Sequence, residues 1–244
     1  MNILYILGNG STWDNGELRY SLRSIATFGR NVEKIFLIGE KPYFVSNKVF
    51  YEPYAQKKQP KHKNMVELIS RAIEAFGSDL GEHFLLSSDD HFYVKETDFA
   101  NYPHFKKGEL PREISSGIYG DEAYTKSLVD TRRFLEILGR PTGNYAQHCN
   151  THIHADVWRE TKKYLDIAAM FSNGVEPTAF HYNFLEGAEF IKRKDCKIRS
   201  AAGRQDLLAQ IGDRDCFSIY DSAIQGGVGA FLAEAFPHRC VWER

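Results

Sequence analysis

Residues 3 to 11 read Ile3-Leu-Tyr-Ile-Leu-Gly-Asn-Gly-Ser11, five apolar residues followed by a glycine-rich turn. An unbroken apolar run of this length is typical of a strand buried on both faces, and the glycines end it. The next stretch carries apolar residues at helical spacing on one face, namely Leu18, Leu22, Ile25 and Phe28. We therefore predict a strand, a glycine loop and a helix, in that order.

Two further apolar runs extend this pattern into a sheet. Lys34-Ile-Phe-Leu-Ile-Gly39 predicts a second strand, so the first forty residues form a βαβ unit with parallel strands. His83-Phe-Leu-Leu-Ser-Ser88 predicts another buried strand. We place helices at about 63–76, 126–138, 156–170, 204–211 and 227–236, and a late strand at Cys216–Ile219. The fold class is α/β, with an open, mixed but mainly parallel, Rossmann-like sheet and helices on both faces.

Length, charge and cysteine usage narrow the class of protein. The 244 residues suit one α/β domain, and we see no linker or repeat, so we predict a single domain over residues 1–244. The 31 basic and 32 acidic residues nearly cancel, which argues against a global field for nucleic acid or membrane. Four separated cysteines without a CxxC spacing indicate reduced thiols and a cytoplasmic protein. The first residues lack a basic leader, so we predict no signal or transmembrane segment.

Two adjacent acids, Asp89 and Asp90, directly follow the predicted strand at residues 83–88. Open α/β sheets bind ligands outside the carboxyl ends of their strands, and carboxylates there can hold a divalent cation. We predict Asp89, Asp90 and His91 as metal ligands, Asp90 also as a catalytic residue, and Ser88 as a substrate contact. The alternative is an ordinary solvated turn, which an Asp-Asp pair often forms.

The first helix carries Arg19 and Arg23 four residues apart, close to the glycine loop. Two arginines on one face could grip phosphate groups through paired hydrogen bonds. The alternative is a solvated face on which Arg19 pairs with Glu17 or Asp14. Spacing alone does not separate the two interpretations.

The segment Asp14-Asn-Gly-Glu-Leu-Arg-Tyr-Ser-Leu-Arg-Ser-Ile25 resembles the signature of the Stealth family of sugar-1-phosphate transferases. Other segments resemble further regions of that family in the same order, namely residues 34–38, 83–93, 151–154, 216–222 and 231–237. The resemblance implies a glycosyltransferase-A-like (GT-A-like) fold, a nucleotide-sugar donor, Mg²⁺ or Mn²⁺ near Asp89 and Asp90, and donor contacts from Arg19 and the Gly8 loop. It also implies a catalytic role for His152.

Together, residues and resemblance define the candidate site. Residues 1 to about 100 bind the donor, and residues 101–244 supply the acceptor side. The candidate substrate contacts are Gly8, Asn9, Gly10, Asp14, Asn15, Glu17, Arg19, Arg23, Lys63, Asn64, Ser88 and His181. The candidate catalytic residues are His152 and Asp90, with Asp121 and Asp221 as rivals. The run from His148 to His154 could instead form a zinc site or pack as ordinary polar residues.

Departures from the family decide which transfer reaction we predict. In its third region the family has an arginine after a Phe-His pair. In this chain Phe180-His181 is followed by Tyr182, so that arginine is missing. A site that stabilises phosphoryl charge would lose a donor there. We therefore predict a glycosyltransferase that moves a sugar from a nucleoside diphosphate sugar to a saccharide or lipid-linked glycan in cell-surface polysaccharide or glycan synthesis, and a UDP-sugar is the donor that we expect. A lipid-linked acceptor would bring the protein to the inner face of the membrane.

Two alternatives stay open. The first is Stealth-type transfer of a hexose-1-phosphate with release of a nucleoside monophosphate. The second is not an enzyme but a module that binds anions or nucleic acid through the basic loop from Lys57 to Lys63.

Overall fold

The computed structural model describes residues 1–114, 122–171 and 174–244. Its strands are β1 (Ile3–Leu7), β2 (Gly29–Arg30), β3 (Ile35–Gly39), β4 (Phe50–Pro53), β5 (His83–Ser87), β6 (Phe92–Tyr93), β7 (Thr97–Asp98), β8 (His104–Lys106), β9 (Gly108–Glu109), β10 (Gly143–Asn144), β11 (Thr151–His154), β12 (Phe190–Lys192), β13 (Lys197–Ile198) and β14 (Cys216–Ile219). Its α-helices are α1 (Gly16–Phe28), α2 (Lys61–Phe76), α3 (Glu122–Ile137), α4 (Ala155–Phe171), α5 (Pro177–Tyr182), α6 (Arg204–Ile211), α7 (Asp221–Ala223) and α8 (Gly229–Ala235). A π-helical turn, Ile224–Val228, joins the last two.

The central sheet has the strand order β11-β5-β1-β3-β4. Strands β1, β3, β4 and β5 run parallel, and β11 is antiparallel to β5. The predicted α/β class with a mixed, mainly parallel sheet is confirmed. The chain adds β3 and β4 on one side of β1 and then crosses to add β5 on the other side. This reversal opens a crevice at the carboxyl ends of β1 and β5.

Hydrophobic side chains cover both faces of this sheet, as the apolar runs predict. Leu4, Phe36 and Phe84 point to the face that packs against α2, α3, α4 and α5. Alternate residues such as Tyr5 and Leu85 point to the other face, where α1 supplies Leu18, Leu22 and Ile25. The alternation follows from the pleat of a strand, which sends successive side chains to opposite faces. Helices on both faces are therefore confirmed.

Two buried serines fasten α1 to the chain that follows the crevice. Ser21 donates to the carbonyl of His91 at 2.7 Å and lies 2.8 Å from the Tyr5 hydroxyl. The Ser24 hydroxyl accepts from the Tyr93 amide at 3.0 Å. Both serines are fully buried, so these bonds are made away from water. The helix thus fixes the segment just after the carboxyl end of β5.

The second half of the chain joins this framework through strand pairing. β11 adds to the central sheet beside β5, and β14 pairs with β6 and with β13. A third hydrophobic cluster, built from β14, α6 and α8, packs against Trp13, Tyr20 and Phe28. The single domain and its division near residue 100 stay predictions. Among the described residues, no helix is both long and apolar enough to cross a bilayer.

Replacing Ser21 with Ala would leave the Tyr5 hydroxyl and the His91 carbonyl short of a buried partner. We expect Ser21→Ala to lower the free energy of unfolding by about 1–3 kcal/mol. Urea denaturation monitored by circular dichroism measures this. The matched control is Thr27→Ala on the same helix, where the hydroxyl is exposed, and we expect a change within about 0.5 kcal/mol. Equal effects of the two substitutions would contradict the role given to Ser21.

Candidate functional site

The acids Asp89 and Asp90, here called the carboxylate pair, lie in the crevice at the strand-order reversal. Ser87, the last residue of β5, is in register with Tyr5 of β1, so Asp89 follows at the level where β1 ends. The glycine loop after β1 lies alongside, with Asn9 and Gly10 exposed. The carboxylate pair, predicted for the metal, and the glycine loop, predicted for the donor, thus lie at the same edge of the sheet.

Asp89 sits among negative charges. Burial raises its pKa to about 7, and the charges of Asp90 and Glu17 add to the increase. The Ser88 hydroxyl donates to Asp89 at 3.2 Å, and Lys61 at the start of α2 opposes the increase. Burial and the two neighbouring acids therefore both favour the uncharged form of Asp89.

Asp90 has a cationic neighbour that the sequence did not point to. The ammonium of Lys197, on β13, lies 3.8 Å from Asp90 Oδ2, and Asp90 keeps 19% of its side-chain surface. Burial would raise the pKa of Asp90, but His91 and Lys197 outweigh it and hold this pKa below its usual value. Lys197 also lies 4.7 Å from the centre of the Tyr220 ring, and its charge interacts with Asp221. This arrangement brings the predicted residue Asp221, which is exposed, to the Lys197 side of the crevice.

His148 is the histidine of the 148–154 run that interacts with the carboxylate pair. The charge of a protonated His148 interacts with the charges of Asp90 and Lys197. The His148 side chain is 32% exposed. The backbone amide of His148 donates to Asp195 at 2.9 Å, and Asp195 pairs with Lys107 at 2.8 Å. Burial, with Lys197, lowers the pKa of His148 to about 3, so its imidazole is neutral at pH 7.

His91 turns one ring nitrogen toward the backbone of Ser88. The Ser88 amide donates to His91 Nδ1 at 3.3 Å, and Nε2 lies 3.9 Å from Asp90 Oδ1. The ring is 5% exposed. His91 therefore packs on the buried side of the carboxylate pair, next to Asp90.

The carboxylate pair fits a divalent cation completed by substrate oxygens. Mg²⁺ is commonly held by one or two carboxylates together with phosphate oxygens. An excess of negative charge at Asp89, Asp90 and Glu17 suits such a cation. Among the described residues, no group of three His, Cys, Asp or Glu side chains is arranged to hold a metal by itself. The predicted third ligand, His91, stays a prediction.

Ser11 and Glu17 shape the glycine loop. The Ser11 hydroxyl donates to Glu17 at 2.8 Å and accepts from the Asn15 amide at 2.9 Å. Asp14 and Asn15 both take positive φ, and a side chain on Gly16 would collide with Trp13. The Gln56 side chain packs over Gly8. A methyl group added to Gly8 would lie 2.8 Å from the side-chain amide nitrogen of Gln56. Glu17 is 5% exposed and faces the carboxylate pair, whereas Asp14 is exposed.

The two predicted phosphate-binding arginines do not face the carboxylate pair. Arg23 forms a two-pronged pair with Glu243, at 2.7 and 2.9 Å, and donates to the Phe236 carbonyl. Arg19 donates to the Tyr43 hydroxyl at 3.2 Å and lies over the Phe44 ring. Residues 17 and 19 are about 200° apart around a helix, so Glu17 and Arg19 point to opposite sides of α1.

The basic loop is partly neutralised. Lys57 pairs with Glu67 at 3.0 Å, and Asn64 closes the loop by accepting from the Lys57 amide at 3.2 Å. Lys63 lines a small cleft between α2 and α4. Lys61, rather than Lys63, is the loop cation whose charge reaches Asp89.

His152 and His181 lie in a separate histidine cluster of five rings, formed by His83, His104, His152, His154 and His181. His152 is opposite Leu85 in the sheet, two residues before the last residue of β5 and four before Asp89. Its ring lies 2.7 Å from His83 Nε2 and 2.7 Å from the Tyr102 carbonyl, and it is 3% exposed. The structure does not bring His152 to the carboxylate pair. Asp121, the remaining candidate, lies outside the described residues.

Comparison with solved structures finds a likeness over nearly the whole chain. A viral protein, described as a glycosyltransferase involved in the glycosylation of the major capsid of PBCV-1, is 14% identical and superposes with a TM-score of 0.45. The match covers 97% of this chain and 98% of that chain. No family model matches the sequence, and no curated protein matches it.

The histidine cluster predicts a pH-dependent stability. Burial, together with the charges of neighbouring histidines, lowers the pKa of His152 and of His181 to about 3. An unfolded histidine binds a proton below about pH 6.5. The free energy of unfolding therefore falls as pH drops from about 6.5 toward 3, by about 2 kcal/mol per buried histidine at pH 5.

We expect His152→Gln to remove about 2 kcal/mol of the stability change between pH 7.5 and 5, as measured by urea denaturation at both pH values. Comparing the variant with the natural chain cancels the contributions of other groups. The control His238→Gln changes an exposed histidine and should leave the pH dependence as it is. The same pH dependence in all three proteins would refute this assignment.

Proposed function

We propose that the protein is a nucleotide-sugar-dependent glycosyltransferase, with the donor diphosphate bound at the carboxylate pair. The observation that carries the proposal is the position of Asp89 and Asp90 at the carboxyl end of β5, beside the glycine loop after β1. The resemblance of residues 14–25 to the Stealth signature supports a nucleotide-sugar as the ligand. UDP-sugars are the donors that we expect first.

The proposed reaction is attack by an acceptor hydroxyl on the anomeric carbon of the donor. The bond from that carbon to the diphosphate breaks, and the nucleoside diphosphate leaves with the electron pair. Lys197 supplies a positive charge beside Asp90, where it can pair with the leaving phosphate. The proton of the acceptor hydroxyl passes to a base, and we assign that role to His148, a neutral and partly exposed histidine whose charge interacts with Asp90.

A divalent cation, Mg²⁺ or Mn²⁺, would be held by Asp89 and Asp90 and would neutralise diphosphate charge when bound. Glu17 and Ser11 keep the glycine loop in place beside it. Exposed Asn9 and Gly10 would then face the nucleotide. The acceptor, a saccharide or a lipid-linked glycan, would approach from the side of Lys107, His148 and Asp195.

The released nucleotide tests the proposal. Purified protein is incubated with UDP-, GDP- or CMP-sugars and Mn²⁺, and the nucleotide product is identified by chromatography. We expect a nucleoside diphosphate from one of the first two donor classes. Release of UMP or GMP would instead support hexose-1-phosphate transfer. Turnover of none of these donors, in a protein that also fails to bind UDP or GDP, would refute both reactions.

The two histidines of the 148–154 run predict opposite outcomes. We expect His148→Gln to lower the turnover number by about 10²-fold or more, with little change in melting temperature. His152→Gln should lower stability and leave the turnover number per folded molecule within about threefold. Loss of turnover in the His152 variant alone would reverse the assignment.

Lys197 predicts a change in donor affinity. We expect Lys197→Met to weaken UDP binding by about tenfold or more, because a charge-assisted contact to phosphate is lost. Lys197→Arg should recover part of the affinity. The control Lys163→Met removes an exposed lysine on α4 and should leave UDP binding unchanged in titration calorimetry. Unchanged binding in Lys197→Met would exclude Lys197 from the site.

A further inference from the structure

A second cavity lies on the side of α1 that faces away from the carboxylate pair. It has a volume of about 460 Å³. Four arginines line it, together with Tyr43, Phe44 and Glu243, and these arginines are Arg19, Arg23, Arg239 and Arg244. We call this cavity the arginine pocket.

The side chains that line the arginine pocket carry a strong positive charge. Four guanidinium groups face one carboxylate, Glu243, whereas the whole chain has a formal net charge of only −1. Glu243 is already committed, since Arg23 grips both of its oxygens. Arg19 Nε lies 3.6 Å from Glu243, too far for a hydrogen bond. Arg19 therefore shares Glu243 with Arg23 at this longer distance, and among the described residues no Asp or Glu side chain forms an ion pair with Arg239 or Arg244.

These arginines also keep unused hydrogen-bond donors. A guanidinium has five N–H donors. In the described chain, Arg19 donates from Nη2 to Tyr43, Arg239 from Nη1 to a backbone oxygen of Arg244, and Arg244 from Nε to the Val45 carbonyl. Arg19 Nε is buried and has no hydrogen-bond partner. A ligand with several acceptor oxygens would satisfy these donors, and phosphate oxygens match the planar fork of arginine.

The arginine pocket is separate from the proposed donor site. Arg19 and Glu17 point to opposite sides of α1, and Glu17 is the one whose charge reaches Asp89. The loop after β3, which carries Tyr43 and Phe44, forms the far wall. A phosphate held by Arg19 and Arg239 would thus have α1 between itself and the carboxylate pair.

We infer that the arginine pocket is a second ligand site that binds a phosphate group. It takes the phosphate through Arg19, Arg239 and Arg244, while the Arg23–Glu243 pair holds the C-terminal segment in place behind them. Tyr43 is 68% exposed at the mouth and offers a ring against which the rest of the ligand can pack. The inference does not depend on the reaction proposed for the carboxylate pair.

Two sources can supply such a group, a soluble phosphate ester or the headgroup of an anionic phospholipid. Titration calorimetry with inorganic pyrophosphate in EDTA tests the soluble form. Flotation with vesicles of phosphatidylcholine, with or without phosphatidic acid, tests the lipid form. We expect saturable binding of one pyrophosphate per chain, or binding to the phosphatidic acid vesicles alone, and either result supports the site.

The Arg19→Gln, Arg239→Gln double variant should weaken this binding by about tenfold or more, and Arg19→Lys should weaken it less, because charge remains without the planar fork. Arg159→Gln, which removes an exposed arginine on α4 paired with Glu82, is the control for loss of positive charge outside the pocket. Melting curves without ligand verify that each variant is folded.

The site is refuted if the natural protein binds neither pyrophosphate nor acidic vesicles. It is equally refuted if the double variant and Arg159→Gln bind alike. A third contrary result is loss of binding in Lys197→Met with full binding in the double variant, which would place the anion at the carboxylate pair. That result would leave the proposed donor site intact, so the two proposals fail separately.

Discussion

The reversal of strand order at β1 is the constraint on which the rest of this structure depends. Because β5 joins the sheet on the side of β1 opposite to β3, the loops after β1 and β5 diverge and leave a crevice. Ser21 and Ser24 of α1 then tie the chain after β5 to the helix after β1. The carboxylate pair is held where α1 and the segment after β5 meet, close to Glu17. The three carboxyl groups are therefore concentrated at this junction.

The sequence alone predicts those parts of the molecule that depend on local periodicity. Apolar runs identify β1, β3 and β5, and the helical spacing of Leu18, Leu22 and Ile25 identifies α1. The position of Asp89 and Asp90 follows as soon as β5 is recognised, since ligand sites lie beyond the carboxyl ends of such strands.

Contacts between distant segments are not predictable in the same way. Lys197 reaches Asp90 only because β13 pairs with β14 and β14 with β6, and no local pattern encodes that pairing. His152 is prominent in the sequence, yet the antiparallel register of β11 places it opposite Leu85 and away from the crevice. His148, a few residues earlier, is the one beside Asp90. Arg23 resembles a phosphate ligand until its pairing with Glu243, far along the chain, is known.

Charge is divided between the two sides of α1. The crevice holds the carboxylate pair with Lys197 close to Asp90. The cavity on the opposite side of α1 is lined by four arginines and by Glu243, which is paired with Arg23.

We propose that the acidic side of α1 binds the donor diphosphate together with a divalent cation. Titration calorimetry of UDP with Mn²⁺, comparing the natural chain with the Asp89→Asn, Asp90→Asn double variant, tests it most directly. We expect metal-dependent binding that falls by about 10²-fold or more in the double variant; equal affinity in both proteins would contradict a donor site at the carboxylate pair.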